Sequence, residues 1–132
     1  MDRSVEKLLL AAQDTGIANA ARAWQLKNDT AAGTAEELNA RMAEALSVMR
    51  DAAEKGLDPN LRSVSRLTGG NAAKLMRAAV SGQTMGGSLL GRICARALAV
   101  AECNPAMGRI VAAPTEGACG ILPGALITVQ EE

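Results

Sequence analysis

The sequence predicts an all-α fold, a multi-helix domain with Gly-rich loops at helix N-termini. Three observations lead there. Apolar residues recur every three to four positions along the longer segments, which is helical rather than strand spacing. The chain is 48% hydrophobic but holds one Trp and no Tyr or Phe, so its core must be aliphatic, and an Ala-rich aliphatic core favours closely packed helices. Finally, 10 of the 13 glycines lie after residue 60, breaking that part into short elements joined by glycine-bearing turns. A chain of 132 residues fits one domain, able to bury roughly two-thirds of its unfolded surface. Within it, residues 1–57 read as amphipathic helices and residues 58–132 as Gly-rich helices and loops.

Ser4 is placed to cap a first helix, with Val5, Leu8, Leu9 and Ala12 at helical spacing and Gly16 as its interruption. A second helix, Ile17 to Lys27, sets Ile17, Ala20, Ala21 and Trp24 on one face, with Trp24 expected as a core anchor; Asn28 to Gly33 breaks it. Thr34-Ala35-Glu36-Glu37 is a capping box, in which Thr34 accepts from the Glu37 amide while Glu37 reaches back to the Thr34 amide. The stripe from Ala35 through Leu38, Met42, Ala45, Leu46 and Met49 to Ala52 continues that helix, and Gly56 stands at its C′ position. Shorter helices follow at Asn71 to Val80 and Gly87 to Cys103, joined by a loop ending at Gly86, and a last helix at Gly120 to Gln130. Ala112-Ala113 and Leu126 to Val129 can alternatively be strands, since short apolar runs do not distinguish the two.

The formal net charge is zero but unevenly spread. Arg62, Arg66, Lys74, Arg77, Arg92 and Arg96 meet no acid between Leu61 and Val100, while the segments on either side are each net negative. Such a block can steer an anionic substrate or pair with an acidic partner surface, and the partner surface is the favoured reading. Nucleic acid is not expected, because stacking aromatics are missing and the total charge is balanced. The apolar run Leu8 to Ala12 is far short of a membrane span, so no membrane partner is expected either. Cys94, Cys103 and Cys119 are odd in number and lack C-x-x-C spacing, signalling neither a disulfide framework nor a zinc site; a reducing cytoplasm fits best.

Two glycine-bearing turns carry the candidate chemistry. Thr68, Gly69, Gly70 and Asn71 lead into one helix, with Lys74 one turn further in. Pro114, Thr115, Glu116, Gly117, Ala118, Cys119 and Gly120 lead into another, with Pro123 tolerated in its first turn. Each turn offers a hydroxyl, exposed amides and the positive end of a helix dipole, which suit an amino-acid carboxylate. Taken without context, the same turns read as buried inter-helix connections whose glycines only permit tight packing.

The run Glu102 to Pro123, ECNPAMGRIVAAPTEGACGILP, closely resembles the alpha chain of the iron-sulfur-dependent L-serine dehydratases, also called L-serine ammonia-lyases. So does Leu67 to Leu75, LTGGNAAKL, where the family often carries Asp in place of Asn71. With weaker likeness at Leu46 to Met49 and Lys55 to Leu57, the resemblance covers most of the chain, as the amino-terminal half of an alpha chain.

The resemblance implies β-elimination of water from L-serine, giving pyruvate and ammonia, with the two turns as substrate loops. It further implies a [4Fe-4S] cluster in the complete enzyme, with ligands outside this chain, so that Cys94, Cys103 and Cys119 are not expected to bind it. The expected partners are L-serine, the remaining half of the alpha domain and a beta chain or domain, within an oligomer. With no His and no Tyr here, the catalytic base is expected from elsewhere. The alternatives are an L-cysteine desulfidase-like lyase with similar motifs, and a non-catalytic helical assembly module.

Overall fold

The computed structural model describes residues 5–132. Six helices follow in order: α1 (Val5–Thr15), α2 (Ile17–Asn28), α3 (Ala35–Gly56), α4 (Asn71–Val80), α5 (Gly87–Cys103) and α6 (Ile121–Gln130). Single 3-10 turns lie at Asn104–Ala106 and Glu116–Ala118, and the described residues contain no strand. The all-α expectation therefore holds. The strand alternative fails for Leu126 to Val129 because Pro123, Gly124, Ile127 and Thr128 are the buried positions of α6, a helical spacing that puts one face inward. Two compact units divide between Glu44 and Ala45, inside α3.

In the first unit α1 packs against α2. Gly16 stands between them at a φ of 79°, a region that L side chains rarely adopt, and its amide donates to the Ala12 carbonyl at 2.9 Å. The cap expected at Ser4 lies outside the described residues. Trp24 is 37% exposed rather than a core anchor, and Ala20 is the buried residue of α2. A small side chain is the one enclosed here, and the large ring is left partly exposed. At the start of α3 the capping box forms in both directions: the Thr34 amide donates to Glu37 Oε2 at 2.8 Å, and the Glu37 amide donates to Thr34 Oγ1 at 3.2 Å. The Thr34 amide holds the Glu37 carboxyl below its ordinary value. Arg41 folds back to donate to the carbonyls of Ala31 and Ala32, tying the preceding loop to the helix.

The second unit is built on α5. A Cβ placed on Gly56, the last residue of α3, would meet the Ala99 carbonyl oxygen at 1.9 Å. On Gly124 of α6 it would meet the Ala97 nitrogen at 2.8 Å, and on Gly120 the Ala97 oxygen at 2.1 Å. On Gly91 of α5 it would meet the Ala79 Cβ of α4 at 2.7 Å. Three helices thus reach α5 at points where one partner has no side chain. Between them lie Ala52, Ala53, Val100, Cys103, Cys119 and Ile127, an aliphatic and thiol core against which Ile110 packs. The sequence placed Gly56 just beyond the helix; it is the last helical residue, and its lack of a side chain serves the crossing with α5.

Both α4 and α6 run opposite to α5. The start of α4 meets Glu102 near the end of α5, and its Ala79 meets Gly91 near the beginning. Gly120, before α6, lies against Ala97, whereas Arg96 and Arg92 pair with Glu131 and Glu132 at the far end. Two of the six bases in the acid-free block therefore find acids inside the chain. Arg62 is turned onto backbone as well, donating to the carbonyls of Pro59 and Leu61.

Replacing Gly56 with Ala is expected to destabilise the chain by about 1 to 3 kcal/mol, the usual cost of overpacking. Gly117→Ala, where an added Cβ meets nothing within 4 Å, serves as the neutral control. Urea unfolding followed by far-ultraviolet circular dichroism reads the difference, and equal midpoints for the two variants would refute the close-crossing account.

Candidate functional site

The site begins with two side chains at the end of α5. Glu102 is 6% exposed, and its carboxyl oxygens accept from the Asn71 amide at 3.1 Å and from the Ala72 amide at 3.2 Å. Asn104, immediately after the helix, donates through Nδ2 to Glu116 Oε1 at 2.6 Å. One helix end therefore holds both glycine-bearing turns, the first through its backbone and the second through a side chain.

The first turn is built on backbone contacts. The amide of Ser63 donates to the Thr68 carbonyl at 2.9 Å, and the Thr68 amide donates to Ser63 Oγ at 3.2 Å. The Val64 amide donates to the Pro105 carbonyl at 2.9 Å, fastening this segment to the turn that follows α5. Gly69 lies so close to the chain that a Cβ would meet the Leu61 oxygen at 2.2 Å. Gly70, at a φ of 79°, is the left-handed residue that starts α4, and no side-chain hydrogen bond from it caps the helix. Thr68, Asn71 and Lys74 are exposed, Gly69 is half-buried and Gly70 is buried. The amides that the sequence leaves open at this helix start are not open at Asn71 and Ala72, because Glu102 takes both.

The second turn keeps more of its donors. Pro114, Thr115, Glu116 and Gly117 are exposed, Ala118 is half-buried, and Cys119 and Gly120 are buried. Within the turn the Ala118 amide donates to the Thr115 carbonyl at 3.3 Å and the Cys119 amide to the Glu116 carbonyl at 3.1 Å. Among the described residues, the amides of Ile121 and Leu122 find no acceptor at the start of α6. A cavity of about 250 Å³ opens beside them, bounded by Ala101 and Asn104 on one side and by Glu116, Gly117, Cys119 and Ile121 on the other. Thr68, Gly69, Gly70, Asn71 and Lys74 do not line it. Both turns are anchored to one helix end, then, but the cavity belongs to the second alone.

Sequence reasoning passed over Glu102 and Asn104 as functional residues, although both lie inside the quoted motif. A signal was present for Glu102. It is the first acid after Asp58, and it sits in the last turn of an apolar helix, where the dipole disfavours an anion unless a partner compensates.

Of the three cysteines, Cys94 is exposed while Cys103 and Cys119 are buried. Burial raises the Cys103 thiol above its ordinary value, opposed by the charge of Lys55. Burial also raises Cys119, with the Glu116 carboxylate adding to the effect and the amides of Cys119 and Gly120 working against it. Among the described residues no three His, Cys, Asp or Glu side chains are grouped to hold a metal ion. Two of the thiols are part of the core or its margin and one is on the surface.

A family model for the serine dehydratase alpha chain matches residues 5–132. The chain belongs to that family. Over 99 residues it is 41% identical to the probable L-serine dehydratase alpha chain of Bacillus subtilis (strain 168), covering 75% of this chain and 33% of the relative. It is 33% identical over 99 residues to the L-serine dehydratase alpha chain of Peptoniphilus asaccharolyticus, covering 75% and 34%. Against L-serine dehydratase 2 of Escherichia coli (strain K12) it is 38% identical over 122 residues, covering 86% of this chain and 26% of the relative. The chain thus spans about a third or less of the length of these relatives. No solved structure matches it. The family match takes in both turns and the end of α5.

The contrast among the cysteines makes a prediction. At neutral pH a maleimide or iodoacetamide reagent should modify Cys94 first, with Cys103 and Cys119 lagging, and the two slow rates should climb as pH rises past the ordinary thiol range. Because folding raises both thiols, the stability linked to them is intact below the ordinary thiol value and declines as pH rises above it. Mass spectrometry of timed digests checks the order, and three equal rates would contradict the burial described.

Proposed function

We propose that this chain is the substrate-loop part of an L-serine ammonia-lyase, which converts L-serine to pyruvate and ammonia, and that it acts together with further alpha-chain sequence and a beta chain or domain. The observation that carries this reading is the anchoring of both glycine-bearing turns to one helix end, through Glu102 and Asn104. Serine is small, and its carboxylate, amine and hydroxyl must be held in a fixed relation for elimination; two turns braced on one rigid element suit that demand. Glu116, Gly117, Cys119 and Gly120, which line the cavity, together with Pro114, Thr115 and Ala118 of the same turn, form the wall that receives the carboxylate beside the unpaired amides at the start of α6. Thr68, Gly69, Gly70, Asn71 and Lys74 form a second wall, presenting a hydroxyl, an amide and an ammonium group on an exposed surface.

The base and the cluster ligands are assigned to the rest of the enzyme, the base because this chain has no His and no Tyr. Supporting that division, Leu122, Leu126 and Val129 of α6 form an exposed apolar face suited to burial against further polypeptide. The same face is the specific observation in favour of a second reading, a helical assembly module without catalysis.

The chain alone should release no pyruvate from L-serine, and activity should appear when it is joined anaerobically to the rest of an alpha chain and a beta partner. In that assembly Thr115→Ala should raise KM for L-serine by about tenfold, the loss of one hydrogen bond to a charged group. Pyruvate release coupled to lactate dehydrogenase reads both outcomes. An assembly that forms without producing pyruvate would favour the non-catalytic module, and sulfide release from L-cysteine in preference to pyruvate from L-serine would favour a desulfidase-like lyase.

A further inference from the structure

The start of α4 has the features of an anion site, yet its two leading amides are already used. Gly70 provides no cap, no acidic residue stands in the first turn, and the whole segment from Pro59 to Ala101 contains no acid. The missing anion comes from Glu102, 30 residues beyond Ala72, which turns a buried carboxyl group onto the Asn71 and Ala72 amides. A carboxyl group on two adjacent amides is the arrangement that a bound amino acid would adopt at a free helix start. Here the protein makes it for itself. Asn104, two positions along, holds Glu116 from the same helix end.

We infer that Glu102 is a positioning residue that occupies the Asn71 and Ala72 amides in place of substrate, so that the substrate carboxylate falls to the Thr115–Gly120 turn. This deepens the proposed dehydratase reading and rests on it for the identity of the ligand. Fixing the α4 start fixes where Thr68, Asn71 and Lys74 stand, because Asn71 itself is one of the two residues gripped and Lys74 is one turn along. It also removes a competing carboxylate site that would otherwise lie close to the first wall.

Amide hydrogen exchange of the 132-residue chain, read residue by residue by NMR, tests the assignment. In Glu102→Ala the Asn71 and Ala72 amides should exchange at least about tenfold faster, the loss of hydrogen bonds to a charged acceptor, while Thr128 in α6 stays unchanged. Added formate, a carboxylate small enough to enter the vacated space, should slow those two amides again; a general loosening of the fold would not respond in this way. If Glu102→Ala does not fold, Glu102→Gln keeps one carbonyl acceptor and should release only one of the two amides. Unchanged exchange at Asn71 and Ala72 in whichever variant folds, or no response of the alanine variant to formate, would overturn the cap. In the native chain L-serine should leave these two amides unaffected, and slowing of their exchange by L-serine would overturn the exclusion. The dehydratase reading fails separately if the assembled enzyme makes no pyruvate, a result that leaves the Glu102 cap and its formate response standing.

Discussion

The backbone of α5 is the surface on which the second unit depends. Gly56, Gly120 and Gly124 bring their own segments against backbone atoms of Ile93, Ala97 and Ala99, distances that no residue with a Cβ could hold without something moving. Glycine in a helix is unfavourable by itself, about 1 kcal/mol against alanine. The close crossings offset that cost through dispersion contacts between backbones that larger side chains would keep apart. A core without Tyr or Phe has few other ways to become dense.

That close approach has an electrostatic consequence. With α4 and α6 both opposed to α5, the positive starts of two helices gather around the negative end of a third. Dipoles arranged in this way favour one another, but the loops entering α4 and α6 are forced into the same neighbourhood. Glu102 and Asn104 then do different work from positions two residues apart. The carboxyl group satisfies backbone donors that would otherwise be buried without partners, whereas the amide holds a loop side chain that remains exposed.

Most of the helical framework is legible in the sequence because its signals are local. The Thr34 to Glu37 box needs only four residues, and the limits of α4 and α5 follow from glycine and asparagine at their starts. Trp24 misleads because side-chain size does not by itself imply burial, and the residue of α2 that is buried is Ala20. The two candidate turns are legible as turns, and their proposal as a site rests on the family motif. What one of them does with its amides is not legible, since the acceptor for Asn71 lies 31 residues away and no periodicity links the two. Part of the positive block is matched by acids that the sequence does not place beside it: Glu132 and Glu131, the partners of Arg92 and Arg96, become neighbours only once α6 folds back along α5.

The two helix starts are therefore not equivalent, although their sequences invite the same interpretation. Each has a preceding threonine, small residues and glycines, and each directs amides away from its own helix. The difference arises on α5. Opposite the start of α4 stands Glu102, a side chain of the right length and charge to close the site; opposite the start of α6 stand Ala97 and Ala101, which are too short to reach it and leave a cavity instead. What separates the occupied amides of one turn from the cavity at the other is thus the side chain that the supporting helix presents to each, and not a difference visible in the glycines of the turns.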